Sequence, residues 1–550
     1  MGEARAPVGG RATRGGRTPL FAEVKRLLGL ARQANAPGAA GAGELAERER
    51  DRLQSRREFL GATAVAGAGA AGLLRPTRAR AEDRPRGPAR PGLHGPRIAI
   101  VGAGMAGLSA AYRLKGAGLH ATVYSAEERL GGRMLSATGL LAPGVVTELG
   151  GEFIDSNHVH MRSLAAEFDV PLLDLLGAGE ADLRFAYFFG GAHHTEAQVI
   201  EAFRPLARRI AADLDLLDFP IAFDALNDDA ARLDRLSLRQ YLDEHAGDGL
   251  VRALLDVAYV GDYGLETAEQ SALNLLGQIN PDTAGGFQLY GESDQRYKVA
   301  GGNHRLIREL AARLEGQVRG GHVLEAIRPR GSAYALTFRQ PGGPGRVVEA
   351  DVVILAIPFT TLRQVDIAVP LPEVKRRAIR ELGYGTNAKV VLGFHRRSWR
   401  DRGYNGLSYS DLPFQSTNDN GEGQHAAGPQ GGLTAFLGGA AGLRSGEGTA
   451  REQARRHLPG LDRLYPGVAA QFNGRVGRAF WPGEPFVKGS YACYKVGQYA
   501  GIAGAEGRPV GRLLFAGEHC SLNFQGFMEG AAETGQAAAD AARALLAARV

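Results

Sequence analysis

Residues 97–118 read RIAIVGAGMAGLSAAYRLKGAG. An apolar run, Ile98–Val101, predicts a strand. Gly102, Gly104 and Gly107 follow it as GxGxxG, and the residues from Leu108 to Leu114 have helical spacing. The first glycine permits a tight turn, the second lets the backbone approach a pyrophosphate, and the third lets helix pack closely on strand. The helix N-terminus then faces the anion. A bare glycine triplet is a weak signal. Placed between a strand and a helix, with a second strand ATVY at 121–124, it marks a Rossmann-like dinucleotide-binding unit.

The second strand runs into Ser125, where such sites commonly carry an acid for the adenosine ribose. A hydroxyl can hydrogen-bond the ribose without charge assistance. Glu127 and Glu128 stand close by but off the expected position. GGR follows at 131–133. A second glycine pair with an arginine is not needed for a nicotinamide dinucleotide. It resembles the motif of two-domain FAD enzymes, in which Gly132 and Arg133 would meet the cofactor near its diphosphate and ribityl chain. The implied cofactor is FAD.

The chain has 550 residues, 44% of them apolar and 23% charged, enough for a large two-domain globular protein. Its net charge of +6 is unevenly placed. Residues 1–81 hold 15 Lys/Arg against 7 Asp/Glu, and the remainder 50 against 52. The basic excess therefore belongs to the leader, and the globular part offers no nucleic-acid surface. Two cysteines, Cys493 and Cys520, form no CxxC pair. HVH around His158 and His160, and the pair His193 and His194, are poor ligand sets, so no metal is expected.

Within the leader, SRREFLGATAVAGAGAAGLL begins at Ser55, and ARA at 79–81 offers a small-x-small cleavage site. Paired arginines, a weakly apolar run too short for a bilayer span and that site resemble a twin-arginine export signal over 55–81. The expected partner is the twin-arginine machinery, and the expected location periplasmic or extracellular. Residues 1–54 form an extension with one amphipathic stretch near Leu20–Ala31, and 82–96 a Pro/Gly/Arg-rich linker.

Four further stretches extend the pattern: TELGGEFID at 147–155, GYGTNAKVVLGF around Lys389, FWPGEPFVKGSYACY around Trp481, and LLFAGEHCSLNFQGFMEGAAETG near the C-terminus. With GxGxxG and GGR, in this order, they resemble the flavin monoamine oxidase family, which includes polyamine and L-amino-acid oxidases. The resemblance spans about residues 97–545. It implies that Gly150 and Gly151 run beneath the flavin and that Lys389 holds a water against flavin N5. An edge-strand lysine facing solvent is the plainer reading. Tyr491 and Phe527 would flank the substrate amine, with Trp481 beside them. Gly517 and Glu518 would meet the ribityl chain, Met528 the pyrimidine end, and Val323 the adenine. Ser490 stands where monoamine oxidases carry the cysteine bonded to flavin, so the FAD is expected to be non-covalent.

The implied reaction oxidises an amine to an imine, which water converts to an aldehyde or ketone and ammonia, while dioxygen becomes hydrogen peroxide. An L-amino-acid oxidase is the nearest alternative, but Phe153 occupies the position where those enzymes often carry a carboxylate-binding arginine. An FAD dehydrogenase or desaturase using another acceptor is a third reading, and a non-catalytic flavin protein a fourth. Glu152 and Asp155 would favour a cationic or neutral amine over an α-amino acid; alternatively Asp155, Ser156 or Asn157 caps the helix beginning near His158. The fold class is an α/β FAD-binding domain (97–160, 290–358 and 484–550) interleaved with an α+β substrate domain (161–289 and 359–483).

Overall fold

The computed structural model describes residues 95–175, 177, 183–278, 294–424 and 428–548. The export signal, the extension before it and most of the linker lie outside the described residues.

Five short strands, β1 (Ile98–Val101), β2 (Ala121–Tyr124), β3 (Val318–Arg319), β4 (Val352–Leu355) and β5 (Leu513–Phe515), form one sheet in the order β5-β4-β1-β2-β3. Every pairing is parallel. Parallel strands are covered on both faces, so they read as continuous apolar runs rather than alternating ones; IAIV and VVIL are buried at every position. The strand order reverses at β1, and a crevice opens at the carboxyl ends of such a sheet where that happens. Gly102 follows directly on the carboxyl end of β1.

Helix α1 (Met105–Gly116) leaves from that end and buries Leu108, Ala111 and Leu114. Arg113 and Lys115 in its last turn suit the negative end of the helix dipole. The long C-terminal helix α2 (Met528–Ala547) lies directly against it, and a β-carbon on Gly535 would strike the Ala106 backbone.

A seven-stranded mixed sheet runs in the order Phe472–Phe480, Ala388–Phe394, Gly431–Leu437, Ser416–Asp419, Tyr404–Ser410, Arg184–Phe189, Ala192–His194. Helices Glu196–Leu214 and Ala450–Leu464 belong to the same stretches of chain, and each opens on a capping box, Thr195 with Gln198 and Thr449 with Glu452. The expected fold class, a Rossmann-like unit interleaved with an α+β unit, holds. The strands of the parallel sheet come from 97–160, 290–358 and 484–550, and those of the mixed sheet from 161–289 and 359–483. Asp366–Ile367 crosses that division by pairing with Ala326 and Ile327 in a smaller four-stranded sheet. Strand Ala388–Phe394, which carries Lys389, is buried at all seven positions and flanked on both sides. Lys389 is therefore not an edge-strand lysine facing solvent.

Candidate active site

One cavity begins at the carboxyl end of β1 and continues between the two sheets, with about 1650 Å³ of empty space, its open mouth included. Gly102 has φ +108° and, like Gly107, stands where a β-carbon would collide with backbone. Gly104 differs: a β-carbon there would meet no protein atom within 4 Å and would project into open space. Gly131 donates its N–H to Ala103 O at 2.8 Å and pairs with Gly104, so the two glycine motifs form one surface. Gly102, Gly104, Ser125, Gly132 and Arg133 all line the cavity, whereas Gly107 serves the packing of α1 on the sheet.

The adenosine end differs in detail from expectation. The Ser125 backbone is engaged on both sides, donating to Arg319 O at 2.8 Å and accepting from His322 N at 2.7 Å. Glu127 lines the cavity 3.6 Å from Arg129, while Glu128 is turned toward Gly320. Val323 is not a lining residue. It opens strand Val323–Arg330 opposite Arg339, and that pairing holds it in the four-stranded sheet.

Further in, Arg133 Nη1 donates to Ser490 O at 2.6 Å and to Glu518 Oε1 at 2.7 Å. Glu518 Oε2 accepts from Gly526 N at 2.8 Å. Gly151 lies so close to Met528 that a β-carbon would stand 2.8 Å from its Cγ. Arg133, Gly150, Gly151, Gly517, Glu518 and Met528 thus come from three distant stretches to one wall. The Ser490 hydroxyl donates to Asn387 Oδ1 at 2.6 Å. Cys493 and Cys520 are buried thiols that form no disulfide among the described residues, and neither lines the cavity.

Lys389 reaches the same wall with its three N–H bonds taken. Nζ lies 3.0 Å from Glu148 O, 2.9 Å from Gly150 O and 2.7 Å from Glu152 Oε2. An ammonium has three donors and no acceptor, so this arrangement leaves none to hold a water. Glu152 Oε1 accepts from Lys298 Nζ at 2.7 Å, and that ammonium also sits 4.5 Å over the Phe153 ring. Burial alone would raise the Glu152 carboxyl, but Lys298 and Lys389 overcome it and hold the group down to about 2. Glu148 moves the other way: burial pushes it up to about 7, although Asn303 N and the Ser136 hydroxyl donate to it. Glu152 is therefore a sequestered counter-ion, and it offers no free carboxylate to a substrate ammonium. Sequence reading missed Lys298; its only signal is a lysine in the strand YKV beside a glycine pair.

Trp481, Tyr491 and Phe527 face the cavity together with Phe153, Phe436 and Phe486. Trp481 Nε1 donates to Leu149 O at 3.2 Å and the Tyr491 hydroxyl to Asp262 O at 2.6 Å, which fixes both rings. Phe527 meets His158 edge-on at 5.1 Å. Asp155 does not line the cavity. Its Oδ1 accepts the backbone N–H of Gln295 at 2.8 Å, and helix Val159–Glu167 carries no side-chain cap, so neither expected role for this acid fits. Gln295, Asn387 and Asn418 line the cavity unforeseen. Among the described residues no cluster of His, Cys, Asp or Glu could hold a metal.

A glycine surface at a helix N-terminus, opening into a space walled by Arg133, Glu518 and aromatic rings, suits a long dinucleotide with a flat ring system at its inner end. Comparison with known proteins agrees. An L-amino-acid oxidase of Crotalus adamanteus is 27% identical over 335 residues, 58% of this chain and 61% of that enzyme. The chain thus spans less than two thirds of that relative. (S)-6-hydroxynicotine oxidase of Paenarthrobacter nicotinovorans is 26% identical over 80% of this chain and 98% of its own. In structure, cyclohexylamine oxidase from Brevibacterium oxydans superposes with a TM-score of 0.71 at 22% identity, covering 82% of this chain and 99% of that one. The model of flavin containing amine oxidoreductases matches residues 105–543, and the chain belongs to this family.

Proposed function

We propose that the protein is an FAD-dependent amine oxidase that converts an amine to an imine, hydrolysed to an aldehyde or ketone and ammonia, with dioxygen reduced to hydrogen peroxide. The observation that carries this reading is a single cavity lined both by the double glycine motif and by Trp481, Tyr491 and Phe527. Gly104, Gly132 and Arg133 would hold the diphosphate region, and Arg133 with Glu518 the ribityl chain. Bound FAD supplies the two-electron acceptor that an amine C–H bond requires. The protein's share is orientation and exclusion of water. Tyr491 and Phe527 wall the amine, and the Lys389–Glu152–Lys298 bridge fixes residues 148–152.

The L-amino-acid oxidase relative favours a second reading. Phe153, and the pairing of both cavity-lining arginines with acids, Arg129 with Glu127 and Arg133 with Glu518, speak against it. The FAD is held without a covalent bond, because Ser490 cannot form a thioether and neither thiol lines the cavity. The twin-arginine stretch supports export in the folded, cofactor-loaded state; conversion of Arg56 and Arg57 to Lys should retain the protein in the cytoplasm, and unchanged export would refute that route. The activity is tested by following peroxide and anaerobic flavin bleaching with panels of amines and L-amino acids. Amines should bleach the flavin and yield peroxide. Bleaching by L-amino acids alone would favour the second reading, and no bleaching by either would refute amine oxidation.

A further inference from the structure

Glu529 is fully buried in the second position of α2, directly behind Phe527 and Met528. Its carboxylate serves another helix. Oε1 accepts from His160 N and from His160 Nδ1, both at 2.8 Å, and Oε2 accepts from Met161 N at 2.9 Å. The two backbone donors belong to the first turn of helix Val159–Glu167, whose own N-cap residue, His158, offers that turn no side-chain bond. A carboxylate that accepts two such N–H groups acts as an N-cap, and this one comes from 368 residues away. Burial alone would raise the Glu529 carboxyl, but the donors on His160 and Met161 hold it below the usual carboxylate range, so the three bonds are charge-assisted. An ionised carboxylate only accepts, so His160 Nδ1 carries the hydrogen.

The capped turn leads back to the cavity wall. Buried His158 takes the Asp155 N–H on Nδ1 at 2.9 Å, which leaves Nε2 protonated toward Asp155 Oδ2 at 3.3 Å. In that orientation its ring meets Phe527 edge-on at 5.1 Å and Phe524 at 5.4 Å. The contacts close a loop. Glu529 fixes residues 160 and 161, the His158 ring just before them backs the Phe527 ring, and Phe527 stands just before Glu529 in the chain. Phe527 is thereby held from its ring side and from its backbone side by one carboxylate, although Glu529 itself does not line the cavity. Met528, between the two, lies against Gly151.

We propose that Glu529 is a positioning residue for amine oxidation: by capping helix Val159–Glu167 it sets the angle of the Phe527 ring, and so the approach of the amine to the flavin, with His160 as the accessible arm of the same clamp. The proposal rests on the amine-oxidase reading. A displacement of about 1 Å in an orienting group can cost about a hundredfold in rate. A cap that merely supported its helix would show in melting and in flavin content, and it would not single out one half-reaction.

The test is a double-mutant cycle on the FAD-loaded enzyme, read by anaerobic stopped-flow reduction with the amine that bleaches the unmodified flavin fastest. Glu529→Gln keeps the shape but sets an amide NH2 against one of the donors. It should slow flavin reduction about tenfold and leave reoxidation by dioxygen and flavin content within about twofold. His160→Ala removes only the arm whose side chain is 31% exposed, and should slow the same step by a smaller factor. Phe527→Leu slows it too. In that background Glu529→Gln and His160→Ala should each lose most of their effect, because both act through the ring. His160→Ala carries the cycle alone where Glu529→Gln does not load with FAD. Factors that multiply across the cycle, or reduction and reoxidation slowed alike, would overturn the proposal and leave the amine-oxidase reading standing. Failure of every amine to bleach the unmodified flavin would overturn that reading and the proposal with it.

Discussion

The two ends of the cavity are built by opposite means. At the dinucleotide end the wall is largely backbone: Gly102, Gly104, Gly131 and Gly132 shape it by lacking side chains. At the aromatic end it is made of long side chains fixed by partners far away in sequence, Lys389 on Glu152 on Lys298, Trp481 on Leu149, Tyr491 on Asp262. A site made by omission is local. A site made by ion pairs depends on the whole fold, and its stability and its chemistry cannot be changed separately.

The largest expected effect tests that dependence. Glu152→Ala leaves Lys298 and Lys389 buried without a counter-ion, and removing one partner of a buried pair costs about 3–5 kcal/mol. Denaturant unfolding of the flavin-loaded protein measures it, and a loss below about 1 kcal/mol would show that the bridge does not support the fold.

Next come the glycines. Gly107→Ala places a β-carbon against Gly102 backbone and should cost roughly 1–3 kcal/mol as overpacking does. Gly104→Ala should leave stability of the apoprotein intact and weaken flavin retention instead. Equal effects of the two on apoprotein melting would erase the distinction between packing and ligand-facing glycines.

Lys389→Met should slow flavin reduction or reoxidation by about tenfold, roughly 1.4 kcal/mol of barrier, by loosening residues 148–152. Because its donors are taken by Glu148, Gly150 and Glu152, Glu152→Gln should slow the same half-reaction. A slow Lys389→Met beside an unaffected Glu152→Gln would mean that lysine acts on its own, as the resemblance implied.

The acids of that segment titrate in opposite senses. The Glu152 carboxyl is depressed to about 2, so its stability contribution is present above the unfolded value near 4.5 and is lost as pH falls toward 2. Glu148 is raised to about 7, so its contribution is full below about 4.5 and is lost as pH rises through 7, at no more than about 1.4 kcal/mol per pH unit. Glu148→Gln should flatten stability between pH 4.5 and 7 relative to the unmodified protein; an unchanged slope there would show that Glu148 is not the group responsible.

The smallest effect is an expected absence of change. Acid precipitation should release yellow flavin to the supernatant from the unmodified protein and from Ser490→Ala alike, and flavin kept on the pellet would disprove non-covalent binding.

The same contrast governs how much could be read from the sequence. The strand–turn–helix, the second glycine pair and the order of the later motifs sufficed for the fold and the cofactor, because each rests on residues adjacent in the chain. The aromatic end resisted. Lys298 lies 146 residues from the carboxylate it binds, and no local pattern announces such a pair. Asp155 looked like a substrate acid or a helix cap from its neighbours, yet its partner, Gln295, is 140 residues on. Val323 opens a strand of the four-stranded sheet and is not among the residues lining the cavity, a register that its neighbours in sequence do not give. Lys389 reads as a strand residue beside the flavin, with an edge-strand lysine only as the alternative; what its neighbours could not give is that all three donors of Nζ are used.

The parallel sheet has a consequence for the order of events during synthesis. Strand β1 is made early, but its neighbour β4 emerges some 250 residues later, and β5, which pairs with β4, later still, beyond residue 510. At typical elongation of about 5–20 residues per second, roughly 20–80 s separate the first and last of these strands. The wall that includes Gly517, Glu518 and Met528 does not exist until the end of that interval. The complete flavin wall is therefore assembled only when the chain is nearly finished, and a chain truncated before α2 should be handled by the cell as an unfolded protein however intact its glycine motif.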